Sequence, residues 1–134
     1  CIADKEHNMN KQVVSTPKAP AAVGPYSQAI KTGNLMFLSG QVPIDPATGK
    51  LVEGDAATQA VQCCKNVLAI LESQGMTAAN LVKVTVFITD ITTFGSVNEV
   101  YKQYFTEPCP ARSCVEVSAL PLGAKVEIES IAAV

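Results

Sequence analysis

Hydrophobic and polar residues alternate most clearly in the second half of the chain. In "LVKVTVFIT", residues 81–89, Val82, Val84, Val86 and Ile88 fall on one face and Lys83, Thr85, Phe87 and Thr89 on the other. This predicts a strand with one dry face. Two further strands are expected at 112–119 and 125–133, joined by "LPLG". In the first, Val115 and Val117 are expected beneath the helices, with Arg112, Cys114, Glu116 and Ser118 opposite. In the second, Val126 and Ile128 oppose Lys125, Glu127 and Glu129. Helical spacing rules elsewhere. Between Gly54 and Gly75, Ala57, Val61, Cys64, Leu68 and Leu71 recur at steps of three and four, with Asp55 placed to cap the start and Gly75 the end. A second helix is expected over 94–105, through Phe94, Val97, Tyr101 and Tyr104, with Ser96 and Glu99 spaced for a capping box.

The N-terminal half is more punctuated. Pro17, Pro20, Gly24 and Pro25 leave room for a short edge strand and a loop. "SQAIKTGNLMFLSGQ" then reads as a hairpin turning at Thr32-Gly33-Asn34, and "PIDPATGK" as a turn-rich loop. The order β-β-β-α-β-α-β-β predicts an α+β fold, with two helices covering one face of a mixed, largely antiparallel sheet. Length allows one domain, assigned to 13–134, after a polar leader at 1–12 in which Met9 is a candidate natural start.

Charge and composition narrow the function. The formal net charge is -2, with no basic block to track a phosphate backbone, so nucleic acid is not the expected partner. No apolar run reaches the roughly 18 residues of a membrane span. With five cysteines, an odd number, and Cys63 adjacent to Cys64 in a predicted helix, reduced thiols and a cytoplasmic setting are expected. No metal site or organic cofactor is expected: there is no CxxC, GxGxxG or P-loop, and the single histidine is His7 in the leader.

The charged sheet face has two readings. It is either simply wet or, given Phe87 and the hairpin's Met36, Phe37 and Leu38, part of a subunit interface with a polar pocket. An oligomer is expected. Arg112 offers a planar fork for a carboxylate, and Glu127 could position or deprotonate a water. The same two residues would equally serve as a structural ion pair. Cys114 is either a thiol activated by the nearby arginine or inert packing, and Cys63 and Cys64 are expected on the core side of their helix.

Five segments together resemble the Rid family, also called the YjgF or L-PSP family: "GPYSQAI", "FLSGQVPIDPATGKL", "VNEVYKQYF", "PARSCVEVSALP" and "KVEIESIA". Within the family it most resembles the RidA branch, because Arg112 and Glu127 stand where that branch's motifs place its arginine and glutamate. The resemblance implies a chorismate-mutase-like fold, a homotrimer with sites in the clefts between subunits, and cofactor-free hydrolysis of 2-imino acids such as 2-iminobutyrate and 2-iminopropanoate. It further implies that Arg112 holds the substrate carboxylate and Glu127 positions the attacking water. Tyr26, Ser39 and Asn98 would line the pocket, with backbone near Gly40 and Cys114 in contact with substrate or water. The sequence departs from the family in the loop "TEPCPARS", where Cys109 stands at a position often aromatic. Two other functions compete. One is an endoribonuclease or translation inhibitor, which an acidic chain with one leader histidine suits poorly. The other is a non-enzymatic ligand-binding module using the same clefts.

Overall fold

The computed structural model describes residues 10–134. Most of the predicted leader, with His7 and Met9, lies outside the described residues. The main sheet has six strands in the order β1-β2-β3-β8-β6-β7. These are β1 (Gln12–Val14), β2 (Ala29–Thr32), β3 (Leu35–Gln41), β6 (Leu81–Ile88), β7 (Ala111–Glu116) and β8 (Val126–Ala133). All neighbours are antiparallel except β6 and β7, so the sheet is mixed as expected. A small hairpin, β4 (Ile44–Asp45) with β5 (Lys50–Leu51), forms inside the segment read as a loop. Gly33 and Asn34 make the two-residue connection between β2 and β3.

Helices α1 (Ala56–Glu72) and α2 (Phe94–Tyr104) cover one face. Asp55 caps α1, its carboxylate accepting from the Thr58 amide at 2.8 Å. The chain leaves α1 through Ser73, with Gly75 in the left-handed region two residues later. Cys63 and Cys64 are completely buried on the core side, and burial pushes both thiols up, Cys64 to about 12. The predicted apolar stripe is nevertheless rotated. Ala57, Val61 and Leu68 are only half-buried, while Gln59 and Asn66 point inward. Both polar side chains are occupied. Asn66 donates to the carbonyls of Val42 and Ile44 at 3.2 and 3.0 Å and accepts from Gln62, while Gln59 bridges Val52 and the Lys125 amide. They tie the segment after β3 to the helix, satisfying backbone groups that burial would otherwise strand.

Three local expectations are corrected. A register shift between Leu81 and Lys83 turns Leu81 into the core and leaves Val82 45% exposed, so the dry face of β6 is Leu81, Val84, Val86 and Ile88. Thr93, not Ser96, precedes α2. The Ser96 hydroxyl donates to the Thr93 carbonyl and Glu99 pairs with Lys102 at 3.0 Å, so no capping box forms.

The third correction concerns β7, whose faces are opposite to those expected. Its parallel register sets Arg112 beside Val84, Cys114 beside Val86 and Glu116 beside Ile88, all on the helix side. Val115 lies on the open face, 42% exposed. The cause is edge position: β7 has a neighbour on one side only, and α2 covers its inner side with aromatic rings instead of aliphatic core.

No helix among the described residues is long and apolar enough to cross a membrane. Asn66→Ala should destabilise the fold by about 2 kcal/mol, because two partly buried carbonyls lose their donor. Urea unfolding of the variant beside the unaltered protein measures this.

Candidate functional site

Two clusters of the expected residues form, on opposite faces of the sheet. The first surrounds a cavity of about 690 Å³, lined by Tyr26, Ser39, Gly40, Val42, Leu122 and Glu127 among others. Gln28 builds one wall. Buried beneath the cavity, it accepts from the Thr16 amide at 2.7 Å and donates to the carbonyls of Thr16, Ala19 and Pro20, folding the proline-rich loop back over β2. The segment held by Asn66 forms another wall. Ser39 is fixed by its amide, which donates to the Gln28 carbonyl at 2.9 Å, and by its hydroxyl, which donates to the Ser27 carbonyl.

Gly40 and Glu127 are a steric pair. A Cβ built on Gly40 would collide with the Glu127 carboxylate and stand 2.8 Å from its Cδ, so the acid folds over position 40 only because no side chain is there. The irregular pairing of β3 with β8 between Leu38 and Gln41 falls at this point. Burial pushes the Glu127 carboxyl above its ordinary value of 4.5, and the negative charge of Glu129 adds to the rise. A half-buried carboxylate so placed is a stronger base than a free one.

The second cluster gathers Arg112, Asn98 and Cys114 against α2. Arg112 Nη1 donates to Asn98 Oδ1 at 2.7 Å. Its guanidinium carbon lies 4.7 Å from the centre of the Tyr101 ring and 5.3 Å from that of Phe94. Cys114 packs against the core. Burial raises its thiol and Arg112 only partly offsets this, so the charge beside it does not make it a thiolate. Burial also pushes the Tyr101 phenol to about 12, and its hydroxyl has no hydrogen-bond partner among the described residues.

Arg112 and Glu127 therefore do not meet within one chain. Arg112 pairs with Val84 and Glu127 with Phe87, on opposite faces of β6 and roughly 10 Å apart along it. The structural ion pair between them does not form. The start of β7 lies outside the cavity of its own chain. Three contributors escaped that reading. Gln28 and Asn66 are invisible to hydropathy because their partners are backbone carbonyls distant in sequence. Leu122, at the cavity edge with φ 60° and 71% exposed, lay in a segment read only as a strand connection.

Among the described residues no group of three or more His, Cys, Asp or Glu side chains is arranged to hold a metal ion. The profile of the family described as Endoribonuclease L-PSP matches residues 16–134. The chain is 49% identical over 122 residues to the mouse protein named 2-iminobutanoate/2-iminopropanoate deaminase, covering 91% of this chain and 90% of that one. The solved structure of the Thermotoga maritima protein TM0215 superposes with a TM-score of 0.90 at 51% identity, covering 92% and 98% of the two chains. That of Escherichia coli TdcF with bound serine superposes with a TM-score of 0.87 at 44% identity, covering 92% and 99%. With the family's five motifs in order along one α+β domain and a match running to its last residue, the chain belongs to the L-PSP, or Rid, family.

Proposed function

We propose that this protein hydrolyses small 2-imino acids, such as 2-iminobutyrate and 2-iminopropanoate, to 2-oxo acids and ammonia. The site is completed where the Glu127 cavity of one copy meets Arg112 of another. The observation that carries the reading is the separation of the two clusters. Arg112 is exposed and has no carboxylate partner among the described residues, while Glu127 faces a cavity that contains no cation in its lining. Each lacks what the other supplies. Phe37 and Val115, each 42% exposed on the open sheet face, favour burial against a second copy. A homotrimer of the chorismate-mutase-like type would bring the two clusters together at each of its interfaces.

In this reaction Arg112 grips the substrate carboxylate with parallel hydrogen bonds. Tyr26, Ser39, Asn98 and the backbone near Gly40 and Cys114 confine the rest of the molecule. Glu127 takes a proton from water as its oxygen bonds to C2 of the imine, and the C=N π electrons pass to nitrogen. Glu127 then returns the proton to that nitrogen. As ammonia leaves the protonated imine's adduct, the C2 hydroxyl gives its proton to Glu127, which passes it to solvent, and C2=O forms. One water is consumed and one ammonia released. The iminium carbon is already electrophilic, so orientation and one base suffice.

The deaminase name of the mouse relative supports the substrate class, and serine bound to TdcF supports a site for small amino-acid-like ligands. That bound serine also favours a second reading, a ligand-binding module. Glu127→Gln separates the two, since carboxylate binding would survive it and hydrolysis would not. The family's endoribonuclease description finds less support in a chain of net charge -2 whose one histidine is His7.

With a threonine dehydratase, threonine and semicarbazide as the competing trap, the unaltered protein should divert imine to 2-oxobutyrate. Arg112→Ala should lower kcat/KM about 30-fold, and Glu127→Gln about 100-fold. Undiminished diversion by Arg112→Ala, with the variant folded and oligomeric, would remove Arg112 from the reaction. Co-assembling the two inactive variants should restore up to about one quarter of the activity, because a head-to-tail interface then pairs an intact arginine with an intact glutamate in that fraction of sites. No recovery in assemblies shown by mass spectrometry to be mixed would overturn the site shared between subunits.

The pH dependence has a definite sign. Glu127 must be ionised to act, and its carboxyl is raised, so the acid limb of kcat/KM should lie above 4.5 and disappear in Glu127→Gln. A raised acid binds more protons folded than unfolded, so its contribution to stability falls as pH rises from 4.5 through the folded value. Thermal melts at neutral pH should show Glu127→Gln at least as stable as the unaltered protein.

A further inference from the structure

We propose that Phe94 and Tyr101, with Asn98 between them, form a neutral clamp that positions Arg112 and preserves its full charge for an anionic ligand. The inference rests on the reading of Arg112 as the carboxylate anchor and adds two positioning residues that act only through it. The three clamp residues fall on one stripe of α2, at helical steps of four and three. Both aromatic rings are within about 6 Å of the guanidinium carbon, the range in which a ring quadrupole attracts a cation. Asn98 fixes the rotation of the fork by accepting from Nη1 at 2.7 Å.

The chemistry of the clamp is what points to a ligand. Arginines held for structure alone are commonly paired with carboxylates, which cancel their charge. Two acids lie close in sequence or register, and both are engaged elsewhere. Glu99, next to Asn98, pairs with Lys102 at 3.0 Å. Glu116, on the same face of β7, accepts from the Ile91 amide at 2.8 Å. An amide and two rings order the side chain without neutralising it, and most of its donors stay unused. A free arginine side chain loses much rotamer freedom when it grips a ligand. Here that loss is incurred on folding instead of on binding, which is preorganisation.

The Tyr101 hydroxyl takes no part, since it is buried without a partner. The ring alone should therefore suffice. The test is the order parameter of the Arg112 Nε–H bond by nitrogen relaxation in the free protein, together with calorimetric affinity for 2-oxobutyrate. Phe94→Leu and Tyr101→Leu should drop the order parameter below about 0.6 and weaken binding about 5-fold each, whereas Tyr101→Phe should keep both. In an Arg112→Ala background, Phe94→Leu should change the affinity no further. An Arg112 side chain equally ordered in Phe94→Leu, or a loss of affinity that persists without Arg112, would overturn the clamp. If Arg112→Ala itself leaves 2-oxobutyrate binding unchanged, the carboxylate-anchor reading fails, while the order parameter still decides whether the clamp holds the side chain. Phe94 is only half-buried, so its variant carries the test should Tyr101→Leu fail to fold.

Discussion

The hydrogen-bonded register of β6 with its two neighbours governs what this molecule can do. Leu81, Val84, Val86 and Ile88 form the buried face of β6 towards the helices. Parallel pairing with β7 then carries Arg112 to the helix side, and antiparallel pairing with β8 carries Glu127 to the other. A slip of one residue in either ladder would exchange the faces and bury the wrong side chains. The same hydrophobic requirement that stabilises the sheet therefore sorts Arg112 and Glu127 onto opposite surfaces. No relaxation of side chains within one subunit can reunite them.

That sorting was only half legible in the sequence. β8 could be read directly, since four alternating small or aliphatic positions leave Glu127 and Glu129 outside without ambiguity. β7 could not. Its one strongly apolar residue at the expected place, Val115, faces outward because the open face is itself partly apolar, and its arginine faces inward because aromatic rings accept a cation. Hydropathy treats an arginine as a surface marker and has no means of seeing Phe94 and Tyr101 waiting one helical turn either side of Asn98. Phe94 and Tyr101 fell in the helix's apolar period, while Asn98 was singled out only through the family resemblance.

Local signals also succeeded unevenly. The Asp55 cap, the Gly33-Asn34 turn and the core placement of Cys63 and Cys64 depend on neighbours within a few residues, and pattern finds such features well. Gln28, Gln59 and Asn66 depend on carbonyls that only the folded chain brings near. Their burial is paired almost entirely with backbone, so each acts as a rivet between a loop and an element. The loops they hold are the cavity walls, which is why the architecture was easier to foresee than the pocket.

The place of β8 has a consequence for how the protein is made. It is synthesised after the other strands, yet it lies between β3 and β6 and hydrogen-bonds to both. Until it arrives, the earlier strands can pair only as β1-β2-β3 and β6-β7, each with an unpaired inner edge. Such edges are templates for pairing with other chains. The interval between synthesis of β6 and pairing of β8 is thus the period in which this protein is most exposed to aggregation, and loss of β8 would make that exposure permanent.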